Sequence, residues 1–157
     1  MKTPEFLLDD PELSMDNDIT IDSMEDVIEL LRDRALNVPV PLKLPVDDDL
    51  LTTEEAILMA LPYDLREFLL MVSDVVYGSL EPVTVSDPCS HTYLPEIASQ
   101  AWNMGMERHL IPICQIDDSY YCIDIEGEIS LWSIGGNLSD KTWESIWHWI
   151  QDVWLNS

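Results

Sequence analysis

The chain has 157 residues, 46% of them apolar, which suits one typical domain built around a single buried core. Its 31 acidic residues outnumber its 7 lysines and arginines, so the formal net charge is −24. Such a charge repels nucleic-acid phosphates and anionic membrane surfaces and attracts basic proteins, so the composition argues against nucleic-acid and membrane binding.

The acidity is spread along the whole chain. Residues 1–55 contain 16 acidic and 4 basic residues, and residues 56–157 contain 15 and 3, so each part carries a net charge of −12. The folded part must therefore itself be acidic. Solubility alone explains this as well as the electrostatic steering of a partner does.

Two further features indicate a reduced, cytoplasmic protein. The N-terminus has no apolar run long enough for a signal peptide, and no stretch approaches the roughly 18 apolar residues that span a bilayer. The three cysteines, Cys89, Cys114 and Cys122, form a sparse and odd set, which is untypical of a disulfide framework. We expect free thiols.

Residues 1–37 are predicted to form an acidic N-terminal extension with one short helix. Residues 1–22 show no sustained apolar period, which is typical of a mobile or loosely docked tail. Ser23 can cap the helix that follows, in which Val27 and Leu31 lie on one side.

Residues 38–157 are predicted to form an α+β body. A proline-rich segment, "VPVPLKLPV", opens it as a linker or an edge strand, and the aspartates at 47–49 are more typical of a solvated or helix-leading turn than of a metal site. Thr52 and Glu55 match a capping box and predict a short helix.

Two longer helices and a strand are expected next. Pro62 suits the first turn of a helix whose apolar positions follow the 3.6-residue period, and residues 94–104 predict another helix, with Gly105 as its stop. "LEPVTV" between these helices could be a strand. The residues expected to face the core are Leu65, Phe68, Leu69, Val72, Ile97, Ala98, Ala101 and Trp102.

Three strand-length runs, "HLIPICQI", "SYYCIDI" and "EISLWSI", predict an antiparallel meander. Asp117 and Asp118, with or without Ser119, form the first turn, and Glu126 and Gly127 form the second. A two-residue first turn places Cys114 opposite Tyr121, whereas a three-residue turn pairs Cys114 with Cys122.

Four of the six tryptophans lie in the last 18 residues. A helix that begins after Ser139 or Asp140 would gather most of the apolar residues on one face, which we expect to pack on the meander. Because the opposite face carries acids instead of the basic residues of a membrane-surface helix, we do not expect a membrane anchor. The residues of this face are Trp143, Ile146, Trp147, Ile150, Val153 and Trp154.

The order of these motifs over about residues 38–157 resembles the SUKH superfamily. The motifs that carry the resemblance are Leu61-Pro62, Phe68-Leu69, the "IPI" strand at 111–113, a glycine turn before a Trp-bearing strand, and a Trp-containing closing helix. The resemblance implies an α+β fold, with an antiparallel sheet and helices packed against it, that is related to a yeast regulator of cell-wall glucan synthesis. It also implies a non-enzymatic intracellular protein that binds other proteins. Most such proteins are bacterial immunity proteins against polymorphic toxins, many of them nucleases, and others are adaptor-like regulators.

We expect a basic protein partner to bind an acidic face formed by the turns of the meander. Acids at hairpin turns project from the sheet, and interface hot spots favour tyrosine beside charge. No cofactor or metal is expected. The candidate partner-binding residues are Asp117, Asp118, Glu126 and Glu128, with Tyr120 or Tyr77 as an aromatic anchor.

An enzyme is the less favoured interpretation. Cys89 and His91, with His109 and Cys114 elsewhere, offer the residue types of a thiol nucleophile or a zinc site. Zinc ligands typically come in tight pairs, and no second pair lies at such a spacing. The sequence also lacks a Gly-rich phosphate loop and a nucleophile elbow.

Overall fold

The computed structural model describes residues 21–157, with side chains from residue 24 onward. Within this range the chain forms five α-helices and a four-stranded antiparallel sheet with strand order β1-β2-β3-β4, which confirms the predicted α+β class. The prediction for residues 1–22 lies almost entirely outside the described residues. The elements are α1 (Ile21–Arg34), α2 (Asp47–Ile57), α3 (Tyr63–Val72), α4 (Leu94–Asn103), β1 (Ile111–Ile116), β2 (Ser119–Ile123), β3 (Ile129–Ser133), β4 (Asn137–Trp143), α5 (Ile146–Asp152) and a terminal 3-10 turn (Trp154–Asn156).

Helix α1 belongs to the same hydrophobic core as the rest of the body. Within the described residues it runs over Ile21–Arg34, so Ser23 lies inside the helix instead of preceding it, and the predicted cap is wrong. Val27 and Leu31 are buried against α3 and α5. The division of the chain at residue 37 stays a prediction, but the helix assigned to the extension is packed on the body.

Helix α2 starts at Asp47, five residues before the predicted capping box, so Thr52 lies within the helix instead of capping it. The Asp49 carboxylate accepts a hydrogen bond of 2.9 Å from the backbone N–H of Val46, which precedes the helix. Negative charge is favourable at a helix N-terminus. The aspartate run therefore leads a helix, which is one of the two predicted alternatives.

Helices α3 and α4 turn the predicted faces to the core. Pro62 directly precedes α3, and Trp102 of α4 is half-buried, with its indole N–H donating to the Leu110 carbonyl at 2.9 Å. The predicted core residues that are buried are Leu65, Phe68, Leu69, Val72, Ile97, Ala98 and Ala101.

No helix among residues 21–157 is long and apolar enough to cross a membrane.

The meander of β1, β2 and β3 is confirmed. Its first turn has two residues, so Cys114 pairs with Tyr121 and not with Cys122. A fourth strand, β4, extends the sheet beyond the meander, and Gly135 and Gly136 connect it to β3 with φ of 105° and 88°. The sequence analysis missed this strand.

Strand β4 takes up the residues that were assigned to the start of the terminal helix. Helix α5 begins only at Ile146, and Ser145 caps it by accepting a 3.3 Å hydrogen bond from the backbone N–H of His148. Trp143 is therefore a strand residue, and its predicted place on the helix is wrong. Trp147 is 3% exposed, and Trp149 contacts Tyr121 of the sheet with ring centroids 5.3 Å apart. The helix packs on the sheet, as predicted.

The segment "LEPVTV" forms no regular strand but borders the sheet. Its Pro82 makes an isolated antiparallel bridge with Cys114 of β1, and the Val83 N–H donates to the Ile113 carbonyl at 2.8 Å. The segment therefore covers the edge of β1 that β2 leaves free. By contrast, the proline-rich residues 38–45 form no strand, which favours the linker alternative.

Trp147 tests whether the terminal helix is part of the core. We expect Trp147→Ala to lower the free energy of unfolding by about 3–5 kcal/mol, because it removes a large buried aromatic ring and leaves a cavity. Leu138→Ala is the control, since Leu138 is 46% exposed, and we expect it to cost less than about 1 kcal/mol. Both are measured by chemical denaturation. A loss below about 1 kcal/mol for the tryptophan variant would contradict a core role.

Candidate protein-binding surface

The acids proposed for partner binding fall into two groups. Asp117 and Asp118 lie in the turn between β1 and β2, whereas Glu126 and Glu128 lie between β2 and β3. The two turns lie at opposite ends of β2, whose five residues span roughly 17 Å at about 3.4 Å per residue. All four side chains are exposed, but the structure does not bring them together into one surface.

The β1–β2 turn presents adjacent carboxylates at one end of the sheet. Asp117 has a φ of 53°, in the left-handed region that aspartate tolerates better than most residues. The Gln115 side-chain amide donates to the Asp117 carbonyl at 3.4 Å. Both aspartates are exposed at this short turn.

The β2–β3 connection is longer than predicted and is organised by Asp124. One oxygen of its carboxylate accepts hydrogen bonds from the backbone N–H groups of Glu126 and Glu128, at 2.9 and 3.0 Å. Gly127 has a φ of 96°, which a residue with a side chain would adopt only with strain. The connection therefore runs over residues 124–128 and holds two exposed glutamates.

A further acid lies under this second turn. A Cβ atom placed on Gly127 would be 3.4 Å from the Asp64 carboxylate. Partial burial raises the pKa of Asp64. The Trp147 indole N–H opposes this rise, although it makes no hydrogen bond of normal geometry. Asp64 is therefore a half-buried carboxyl group beside the exposed glutamates of this turn, and its burial disfavours the charged form.

Neither tyrosine is a free aromatic anchor. Tyr120 is 1% exposed and packs against Trp132 with ring centroids 6.1 Å apart, so its ring is covered in this structure, and its contact with a partner stays a prediction. Burial, and secondly the negative charge of Asp118, raise the pKa of Tyr120. Tyr77 is half-buried, and its hydroxyl donates to the Leu155 carbonyl at 3.1 Å. Alternation along a strand predicts that one of Tyr120 and Tyr121 is in the core and the other is exposed, and this is wrong, because the structure buries both.

Arg66 and Lys141 are engaged by acids within the molecule. Arg66 pairs with Glu54 at 3.3 Å, and Lys141 pairs with Asp152 at 3.0 Å. The pKa of Asp152 is lowered, mainly by the hydrogen bond from the Trp143 indole and secondly by the hydrogen bond from Lys141.

Arg108 is the remaining basic residue after position 55, and it is also engaged. It donates to the Ile57 carbonyl at 3.1 Å, and its guanidinium lies 4.1 Å from the centre of the Trp102 ring. Among residues 24–157, no ion pair involves the carboxylates of the β1–β2 turn or of Glu126 and Glu128. Their charge is thus left for solvent or a partner.

The edge of β1 holds a cavity that the sequence analysis did not predict. Continuing the antiparallel pairing of Pro82 with Cys114 by one residue places Glu81 opposite Gln115. The resulting cavity measures about 230 Å³. Its lining residues are Glu81, Val83, His91, Thr92, Ile97, Gln115 and Asp117.

The residues considered for a thiol or zinc site are spread over different environments. Cys89 is exposed, His91 contacts Glu81, and Cys114 is buried in β1. His109 is exposed and lies 3.8 Å from Glu107. In the part of the chain that the structure describes, no three His, Cys, Asp or Glu side chains are grouped closely enough to hold a metal ion.

Comparison with known proteins identifies the family. The family model SUKH_5, described as SMI1-KNR4 cell-wall, matches residues 24–155, and the chain belongs to this family. The match begins within α1. A crystal structure of a protein from Pseudomonas syringae pv. tomato is 55% identical and superposes with a TM-score of 0.82, covering 85% of this chain and 99% of that one. No curated protein matches the chain.

The three thiols should differ strongly in reactivity. Burial raises the pKa values of Cys114 and Cys122 to about 12, so both remain protonated at neutral pH, whereas Cys89 is exposed. We expect a thiol reagent at pH 8 to modify one cysteine in the folded protein and all three after denaturation, as read by mass spectrometry. Rapid modification of a second thiol in the folded state, or a disulfide in protein isolated with thiols blocked, would contradict this.

Proposed function

We propose that this chain is a non-enzymatic, intracellular protein-binding domain that acts as an immunity protein. Its partner would be the basic domain of a toxin, such as a nuclease, and binding would neutralise that toxin. The observation that carries the proposal is the combination of a −24 charge with exposed strand-turn carboxylates that have no cationic neighbour in the described part of the chain.

Charge supports the proposal through association kinetics. A nucleic-acid-cleaving toxin needs a basic surface to hold phosphates. An acidic surface attracts such a partner over long distances and raises the association rate, while covering the basic surface blocks its substrate. Because salt screens exposed charges, the attraction should weaken as ionic strength rises.

Family membership supports a binding role more broadly. The SUKH resemblance implies scaffolds that act as immunity proteins or regulators without a shared catalytic set. The family description, which names the cell wall, favours a second candidate, an adaptor or regulator of the cell-wall type. A toxin encoded beside this protein would favour immunity, and a metabolic neighbour would favour the adaptor.

The decisive experiment starts from the protein encoded by the neighbouring gene. We expect the two proteins to co-purify, and we expect this chain to restore the growth of cells that express the toxin. Cys89→Ser should protect equally well and metal chelation should leave the complex intact, because the proposed action is binding. Loss of protection on changing Cys89 would support the thiol enzyme and contradict our proposal.

Two matched charge reversals then test the acidic surface. Asp117→Lys with Asp118→Lys, and Glu126→Lys with Glu128→Lys, change the net charge equally but at opposite ends of β2. We expect one pair to lower the association rate constant about tenfold at low salt, with a much smaller effect near 0.5 M salt. If neither pair changes the rate at low salt, the acidic surface is not the binding site.

A further inference from the structure

The cavity at the edge of β1 is formed by two segments that are distant in sequence. The backbone N–H of Thr84 donates to the Thr92 carbonyl at 2.9 Å, and the Leu94 N–H donates to the Thr84 carbonyl at 2.8 Å. These bonds hold residues 91–94 beside the segment that covers β1. Glu81, from the covering segment, and Asp117, from the turn after β1, line the same cavity, although 36 positions separate them.

The cavity combines an apolar floor with a polar rim. Val83 and Ile97 are both buried and contribute the apolar lining. Glu81, His91, Gln115 and Asp117 are the exposed residues of the lining, so two carboxylates, an imidazole and an amide belong to the residues at the rim. A carbon chain that ends in a cation matches this arrangement, because such side chains bury their stems on apolar surface and keep the charge among polar groups.

Acceptor atoms remain available on the rim. Oε1 of Glu81 contacts Nε2 of His91, which leaves Oε2 as an acceptor. Gln115 donates its amide nitrogen to the Asp117 carbonyl, which leaves its side-chain oxygen. With the Asp117 carboxylate, three side chains offer acceptors. Such a set suits a guanidinium, whose five N–H donors form a planar fork, better than a compact ammonium group.

We propose that this cavity receives an arginine side chain of the protein partner. The proposal rests on the proposed function for the existence of that partner, and it assigns the contact to the Asp117 end of the sheet. Glu126 and Glu128, at the other end, project from the 124–128 turn, whereas Glu81 and Asp117 frame a concave site. The aliphatic part of the arginine would contact Val83 and Ile97.

A short peptide tests the cavity without the toxin. We would titrate isotopically labelled protein with acetyl-Gly-Arg-Gly-amide at low salt and follow the backbone amide signals by NMR. A matched peptide with citrulline in place of arginine has nearly the same shape but no charge. We expect the arginine peptide to shift signals of residues 81–83, 91–92 and 115–117, and the citrulline peptide to shift them at least about fivefold less.

Two neutral double variants locate the binding. Glu81→Gln with Asp117→Asn removes both rim charges while preserving side-chain size, and Glu126→Gln with Glu128→Gln removes two charges at the other end. We expect the first to weaken peptide binding about fivefold and the second less than about twofold, in line with modest energies of exposed charge pairs. Unchanged amide spectra away from the substitutions verify that both variants are folded.

Three results would overturn the inference. They are equal shifts with the citrulline peptide, shifts spread evenly over the acidic surface, and shifts centred on residues 124–128. None of them bears on whether the chain binds a toxin. Conversely, an arginine-selective cavity in a chain that fails to co-purify with its neighbour would sustain the preference of the cavity for arginine and count against the proposed function.

Discussion

The aromatic packing around Trp149 joins the sheet to the end of the chain. The ring centroid of Trp149 lies 5.3 Å from that of Tyr121 in β2 and 6.3 Å from that of Trp154. The Trp154 centroid in turn lies 6.1 Å from that of Phe68 in α3. The Trp154 indole N–H donates to the Tyr77 carbonyl at 3.1 Å. Large aromatic side chains contribute much of the burial in a core of this size. These contacts hold the sheet, two helices and the start of the 77–93 segment in one arrangement.

This arrangement determines where the segment that lines the candidate binding surface runs. The segment that leaves Tyr77 continues along the free edge of β1, where the bond from Val83 to Ile113 fixes it at 2.8 Å. Edge strands offer unpaired backbone groups that proteins usually cover, and here the covering segment also carries Glu81. A structural need at the sheet edge thus creates an acid-lined cavity with an apolar floor beside the β1–β2 turn.

The sequence predicted the parts of the fold that depend on local patterns. The meander followed from strand-length apolar runs, and Asp117 and Asp118 located its first turn, whose length of two or three residues the sequence left open. Strand β4 was missed because "NLSDKTW" is polar and lies mostly outside the core, although Gly135 and Gly136 before it are typical hairpin residues. The sequence analysis did not predict Glu81 as a site residue, because its position depends on isolated bridges between distant residues, and a local hydrophobic period cannot predict such bridges.

Hydrogen–deuterium exchange of the protein alone and in complex with its toxin partner tests the account most directly, because it maps the contact surface without mutation. The account predicts slower exchange on binding in the loop at 86–92 and in the turn at 117–119, where exposed amides become covered. Exchange over residues 124–128 should stay unchanged. Protection confined to residues 124–128, or to the helical side of the molecule, would contradict the assignment of the binding surface.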